Sequence, residues 1–214
     1  ELSRFADLNG EAFFRANDGN SGNELWKSDG TPQGTVLVKE IGPGPLGGAF
    51  APTNVAGTLL FRGDDGVHAS ELWKSDGTAA GTVLVKDINP GTSASSRPRS
   101  FTPVGNLTYF VATNPTTGTE LWRTDGTQAG TMLVKDLFPT SASSDPQFLT
   151  NVNGELYFTA WDLEGWDLPV GLPPVSLFKS DGTPEGTVRV KQILAADAGN
   201  LDLFGVRSVV SAGD

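Results

Sequence analysis

The chain has no cysteine, one histidine and one methionine. Without thiols it can form neither a disulfide framework nor a thiolate zinc site, so packing and hydrogen bonds must hold it together. The lone histidine, His68, cannot furnish a histidine metal centre. No nearby spacing marks a nucleophile–base pair either, so it reads as an exposed loop residue. No apolar run approaches the ~20 residues that cross a bilayer, and no basic stretch followed by an apolar one opens the chain. Because the chain begins at Glu1, it is expected to be a processed product or a fragment of something longer. Basic residues are few: 15 Lys and Arg stand against 25 Asp and Glu, a formal net charge of −10. A field of that sign repels phosphate backbones and anionic headgroups, so neither nucleic acid nor membrane insertion is expected. Helical signal is scarce as well. Gly or Pro interrupts almost every window before an i, i+3, i+4 pattern is established, residues 192–203 being the one ambiguous stretch.

What is abundant is turn chemistry, with 27 Gly and 14 Pro in 214 residues, beside a 37% hydrophobic content sufficient for a core. A repeat organises it. The segment Glu24-Leu25-Trp26-Lys27-Ser28-Asp29-Gly30-Thr31 recurs at Glu71–Thr78, at Glu120–Thr127 and, with Phe178 in place of Trp, at Ser176–Thr183, at offsets of 47, 49 and 56 residues. Each copy runs through a Gly-Thr pair (Gly34-Thr35, Gly81-Thr82, Gly130-Thr131, Gly186-Thr187) into an apolar run ending in Lys. Each is preceded by an aromatic strand (Phe13-Phe14, Leu60-Phe61, Tyr109-Phe110, Tyr157-Phe158) and, upstream of that, by a weaker strand beginning near Phe5, Phe50, Phe101 or Phe148. Four strand signals per repeat of roughly 50 residues are the signature of propeller blades, which bury both faces by stacking on their neighbours. The predicted fold is all-β: a β-propeller of four-stranded blades in a single domain or segment over 1–214. The repeats lie at about 1–46, 47–93, 94–143 and 144–198, and the start of a fifth at 199–214 leaves the array open or self-associating.

The repeated residues have structural tasks in that picture. Asp29, Asp76, Asp125 and Asp181 accept hydrogen bonds from backbone amides just after them, the following Gly supplies a positive φ, and the motif closes the turn between third and fourth strands. Trp26, Trp73, Trp122 and Phe178 are core wedges. The Lys at the end of each fourth strand reads as a solvated strand end. Four symmetric copies of one residue are of no use to a single active site, so Glu24, Glu71 and Glu120 are also assigned to structure, with a ligand site in each blade as the alternative.

The string Glu-Leu-Trp-x-x-Asp-Gly-Thr, followed by Gly-Thr and Leu-Val-Lys-Asp, resembles the ELWxxDGT repeat family, tandem arrays in large, mostly bacterial surface or secreted proteins. The resemblance covers nearly the whole chain. It implies an extracellular or cell-surface repeat protein and carries no catalytic residue to transfer.

Sites of chemistry are sought where the repeat offers oxygen-rich turns or breaks its own pattern. Asn17, Asp18, Asp64 and Asp65 line the turn between second and third strands, oxygen donors of the kind calcium uses, although the same Asx-Gly chemistry also makes a plain turn. No other cofactor is expected. In the fourth repeat that turn expands, bringing Trp161, Asp162, Glu164, Trp166 and Asp167 onto one loop. There the indole faces could stack on a sugar while the carboxylates accept its hydroxyl hydrogen bonds, or the insert could simply fold over the rim. Arg97 and Arg99 are solvated or anion-binding. No constellation for catalysis remains, so the expected function is a non-catalytic binding or scaffold module whose partner is a protein or a carbohydrate. A glycosidase-like propeller enzyme and a purely structural, homo-oligomeric segment are the alternatives.

Overall fold

The computed structural model describes residues 5–42, 48–91, 93–139, 141–163 and 173–194. Among these there is no helix; sixteen strands form one eight-stranded and two four-stranded sheets that do not close on themselves. The first repeat contributes β1 (Ala6–Leu8), β2 (Glu11–Asn17), β3 (Asn23–Ser28) and β4 (Val36–Lys39). The second contributes β5 (Gly48–Val55), β6 (Thr58–Asp64), β7 (Ser70–Ser75) and β8 (Val83–Lys86). The third contributes β9 (Arg99–Val104), β10 (Leu107–Asn114), β11 (Gly118–Thr124) and β12 (Met132–Lys135). The fourth contributes β13 (Gln147–Val152), β14 (Glu155–Trp161), β15 (Val175–Ser180) and β16 (Val188–Leu194). The expected four strands per repeat are all present, and residues 195–214, where a fifth repeat was expected to begin, lie outside the described residues.

Within each repeat the strands pair in chain order, and the motif residues fall in the same register. Phe14 opposes Trp26, Phe61 opposes Trp73, Phe110 opposes Trp122, and Phe158 opposes Phe178. The pairing of third with fourth strand shifts register at the same motif position in every repeat, between Leu25 and Trp26, Leu72 and Trp73, Leu121 and Trp122, and Leu177 and Phe178, and in the fourth repeat again between Val175 and Ser176. An irregularity that recurs at one motif position turns the outer strand in the same way each time. The second strands of the second, third and fourth repeats are buried on consecutive positions, as the sequence suggests, whereas β2 buries only Phe13. The fourth strands are not: Val36, Val83, Met132 and Val188 are each 36–40% exposed, because these four strands are sheet edges with one face in water.

The chain forms two compact units, one of residues 1–99 with 126–128 and the other of 100–125 with 129–214. In the first, strands β1–β4, joined to β5–β8 in one eight-stranded sheet by a parallel pairing of Asn23 with Gly48, pack one face, carrying Leu8, Phe13, Leu25 and Val38, against Leu59, Phe61 and Trp73 of β5–β8. In the second, Tyr109, Leu121 and Val134 of the β9–β12 sheet pack in the same manner against Leu156, Phe158 and Phe178 of the β13–β16 sheet. Phe158 and Phe178 stack at 5.5 Å between ring centroids. The same columns of the repeat thus build two separate cores.

Candidate functional site

The most heavily engineered polar positions are the buried carboxylates of the motif. Glu24, Glu71 and Glu120 have no solvent exposure. The Leu that follows each of them on the opposite face of the third strand is equally shielded, so both faces are covered there, and a carboxylate in that interior survives only by accepting hydrogen bonds. The donors come from the connection to the next repeat. Glu71 accepts from the Ile88 amide at 2.8 Å, the Ser96 amide at 2.9 Å and Ser96 Oγ at 2.6 Å. Glu120 accepts from the amides of Leu137 and Ser144 at 3.3 and 2.7 Å and from Ser144 Oγ at 2.5 Å. Glu24 accepts from the Ile41 and Gly42 amides at 2.9 and 3.2 Å. Each Glu therefore ties down the strand-to-strand connection that leaves its repeat. Burial pushes all three carboxyls above the usual range against the pull of these bonds, Glu120 to about 7.

In the fourth repeat Ser176 stands where the other three have Glu. Its hydroxyl donates to Asp162 Oδ2 at 2.9 Å, and Arg189 Nη1 lies 3.0 Å from the same oxygen. Asp162 is only 9% exposed, and its amide bonds to the Pro174 carbonyl at 2.9 Å. Asp162, one of the residues assigned by sequence to a sugar platform, thus points inward and replaces the missing motif carboxylate. Trp161 is half-buried at the end of β14, its amide held by the Ser144 carbonyl. Glu164, Trp166 and Asp167 lie outside the described residues. Sequence reasoning missed the Ser176–Asp162–Arg189 cluster, although it left a signal: a repeat that loses its buried Glu must find another acceptor for the same polar interior.

The oxygen-rich turns spend their oxygens on the backbone. Asn17 Oδ1 accepts from the Gly19 amide at 2.7 Å, and Asp18 Oδ1 from the amides of Asn20 and Ser21, both at 2.8 Å. Asp64 Oδ1 accepts from Gly66, and Asp65 Oδ1 from Val67 and His68. The Ser21 and Asn20 amides hold Asp18 below the usual carboxylate range. Burial pushes Asp65 up, but bonds from the His68 amide, its ring and the Val67 amide outweigh it and leave the carboxyl low. Among the described residues no three His, Cys, Asp or Glu side chains converge as a cation site, whereas calcium takes about six to eight oxygens. His68 is not the freely exposed residue its isolation suggests, since its Nδ1 lies 2.8 Å from Asp65 Oδ2. That bond raises its pKa.

The motif turns carry the same hydrogen bonds in successive repeats. Asp29 Oδ1 accepts from the amide and the hydroxyl of Thr31 at 2.9 and 2.7 Å, and Asp76 and Asp181 do the same with Thr78 and Thr183. Those bonds hold all three carboxyls low, the Thr hydroxyl contributing most at Asp29 and Asp76 and the Thr183 amide at Asp181. A side chain at the second Gly of the motif would collide with the Asp: a Cβ at Gly81 would lie 2.1 Å from Asp76, and one at Gly130 would lie 2.1 Å from Asp125. The Lys of the fourth strand corrects the sequence expectation in the first and third repeats. Lys39 Nζ donates to the Thr82 carbonyl at 2.7 Å and Lys135 Nζ to the Thr187 carbonyl at 2.8 Å, so these lysines bond across to the next repeat's turn instead of ending in water.

No protein-family model and no curated protein matches this sequence. Solved structures do match in shape. A prolyl endopeptidase superposes with a TM-score of 0.54 at 12% identity, over 90% of this chain and 26% of its own. A puromycin hydrolase variant complexed with PGG gives 0.55 at 15% identity, over 91% of this chain and 29% of its own. An exo-β-1,3-galactanase from Phanerochaete chrysosporium with galactose gives 0.45 at 12% identity, over 90% and 49%. The chain spans little more than a quarter of the first two. At these identities the likeness shows the fold alone, and that fold is β-rich and propeller-like.

Proposed function

We propose that the chain is a non-catalytic binding and scaffold module, a run of propeller blades belonging to an extracellular or cell-surface repeat protein of the ELWxxDGT kind. One observation carries this reading: the repeated carboxylates that an enzyme would recruit already have hydrogen-bonding tasks. Glu71 and Glu120 each accept three bonds from the connection to the next repeat, and Asp162 is held by Ser176 and Arg189. A glycosidase needs two carboxyls free to face one glycosidic bond about 5–10 Å apart, and carboxylates without solvent exposure, committed to buried donors, have no open face to present to a substrate.

The partner is a protein or a carbohydrate, met on surfaces outside these buried networks; the half-buried Trp161 beside Asp162 marks the edge of the fourth-repeat loop where a sugar would stack. A polysaccharide panel read for both binding and reducing-end release tests the proposal. Binding without release is the expected outcome. Release that disappears in a folded Asp162→Asn variant would establish the glycosidase alternative instead.

A further inference from the structure

One cross-strand pair departs from the repeat on both strands at once. In three repeats the third strand sets a lysine directly opposite the valine that opens the fourth strand: Lys27 opposite Val36, Lys74 opposite Val83 and Lys179 opposite Val188. In the third repeat the same pair is Arg123 opposite Met132. Met132 carries the only sulfur atom of the chain, which has no cysteine and no second methionine. The two side chains touch, Arg123 Nη2 donating to Met132 Sδ at 3.2 Å.

That sulfur sits where the fold keeps a side chain in contact with water. Met132 is 39% exposed, and the three valines of its column are 36–40% exposed wherever in the chain they stand, so the exposure belongs to the edge strand itself. A valine there is inert to oxidants; a thioether is not. Its lone pair attacks one oxygen of hydrogen peroxide: the S–O bond forms, the O–O bond breaks, and the departing hydroxide takes the proton of the transferred oxygen and leaves as water. Sulfur is oxidised by two electrons and the peroxide is reduced by two. The sulfoxide oxygen that results is a far stronger acceptor than the weakly accepting thioether sulfur it replaces.

The arginine supplies a second arm. In the second repeat the cation of this column is spent on the next motif turn, Lys74 Nζ donating to the Gly126 carbonyl at 2.9 Å. Arg123 stands against the next turn in the same way: a Cβ at Gly182 would lie 3.3 Å from Arg123 Nη1. Its charge adds to the bonds from the Thr183 amide and hydroxyl that hold the Asp181 carboxyl low. A planar guanidinium presents donors in both directions from one fixed fork, which the compact ammonium of a lysine cannot do.

We propose that Met132 is a site of reversible oxidation by hydroperoxides, and that Arg123 then holds the sulfoxide oxygen on one arm and the motif turn of the fourth repeat on the other, fastening the third repeat to the fourth. The oxygen is added at an exposed edge, so no buried apolar contact is lost, and a weak N–H···S contact is exchanged for a charge-assisted N–H···O bond. Methionine sulfoxide reductases reverse the step. The inference goes beyond the binding-module reading and does not depend on which partner the module meets.

Hydrogen peroxide treatment of the intact chain, followed by peptide mass spectrometry and thermal unfolding, tests it. Peroxide is expected to add one oxygen, at Met132, as readily as to free methionine. The oxidised chain is expected to melt about 2–4 °C above the untreated one, the shift that one added charge-assisted hydrogen bond gives a chain of this size, and enzymatic reduction of the sulfoxide to return it to its starting value. Arg123→Lys places in the third repeat the residue that the other three carry, so folding is kept. Its single ammonium goes to the fourth-repeat turn, and oxidation is expected to bring no rise in its melting temperature. Met132→Val is expected to be indifferent to peroxide. A Met132 that resists peroxide overturns the proposal, as does an oxidised chain that melts no higher than the untreated one. An equal rise in Arg123→Lys, or one that persists in Met132→Val, overturns it too.

Discussion

At the scale of single residues, position in the stack, not residue type, decides how much a side chain matters. Trp26 and Trp73 occupy one motif column, yet only Trp73 is closed in. Trp73→Ala is expected to lower unfolding free energy by about 3–5 kcal/mol, the cost of an unfilled aromatic cavity, and Trp26→Ala in dilute solution by less than half of that; urea denaturation of both measures the contrast. Gly81→Ala forces Asp76 from its Thr78 bonds and is expected to cost about 1–3 kcal/mol in the same experiment. Glu120 supplies a pH dependence. Its folded pKa of about 7 exceeds the unfolded value of 4.5, so between those values the native state holds a proton that the unfolded chain has released. The contribution of this one group is therefore fully present below pH 4.5 and is lost as the pH rises through 7, about 3 kcal/mol in all. General repulsion in a chain of net charge −10 acts in the same direction, so the informative result is the difference: Glu120→Gln is expected to flatten the melting-temperature profile between pH 5 and 8.

At the scale of elements, the inter-repeat lysine bonds are separable from the sheets they join. Lys135→Met removes one donor to the Thr187 carbonyl and is expected to cost about 1–2 kcal/mol with an unchanged far-ultraviolet spectrum. The four strands of each repeat were legible because their signals are local: an aromatic pair, a Ser/Thr-Asp-Gly-Thr turn, a β-branched run. The lysine bonds and the linker held by Glu71 were not, because their partners lie 43–52 and 17–25 residues away and no periodicity states which carbonyl or amide a side chain will reach. The inward turn of Asp162 was hidden for the same reason. Its partners, Ser176 and Arg189, are 14 and 27 residues downstream, beyond a loop whose composition resembles a binding surface. Sequence identified where the fourth repeat departs from the others; only the packing shows that part of the departure compensates for a lost glutamate.

At the scale of the whole molecule, one solution recurs in both compact units: four-stranded repeats, a buried carboxylate that fixes the exit chain, and an apolar face of one repeat closed by the next. The claim on which the rest depends is that the motif glutamates hold the connections between repeats. Amide hydrogen exchange on the intact chain and on Glu71→Ala tests it most directly. The account expects the Ile88 and Ser96 amides, which bond to Glu71, to lose their protection by at least tenfold in the variant while the β6 amides of the same repeat remain slow. Unchanged exchange at Ile88 and Ser96 would contradict it and return these buried carboxylates to the list of candidate functional groups.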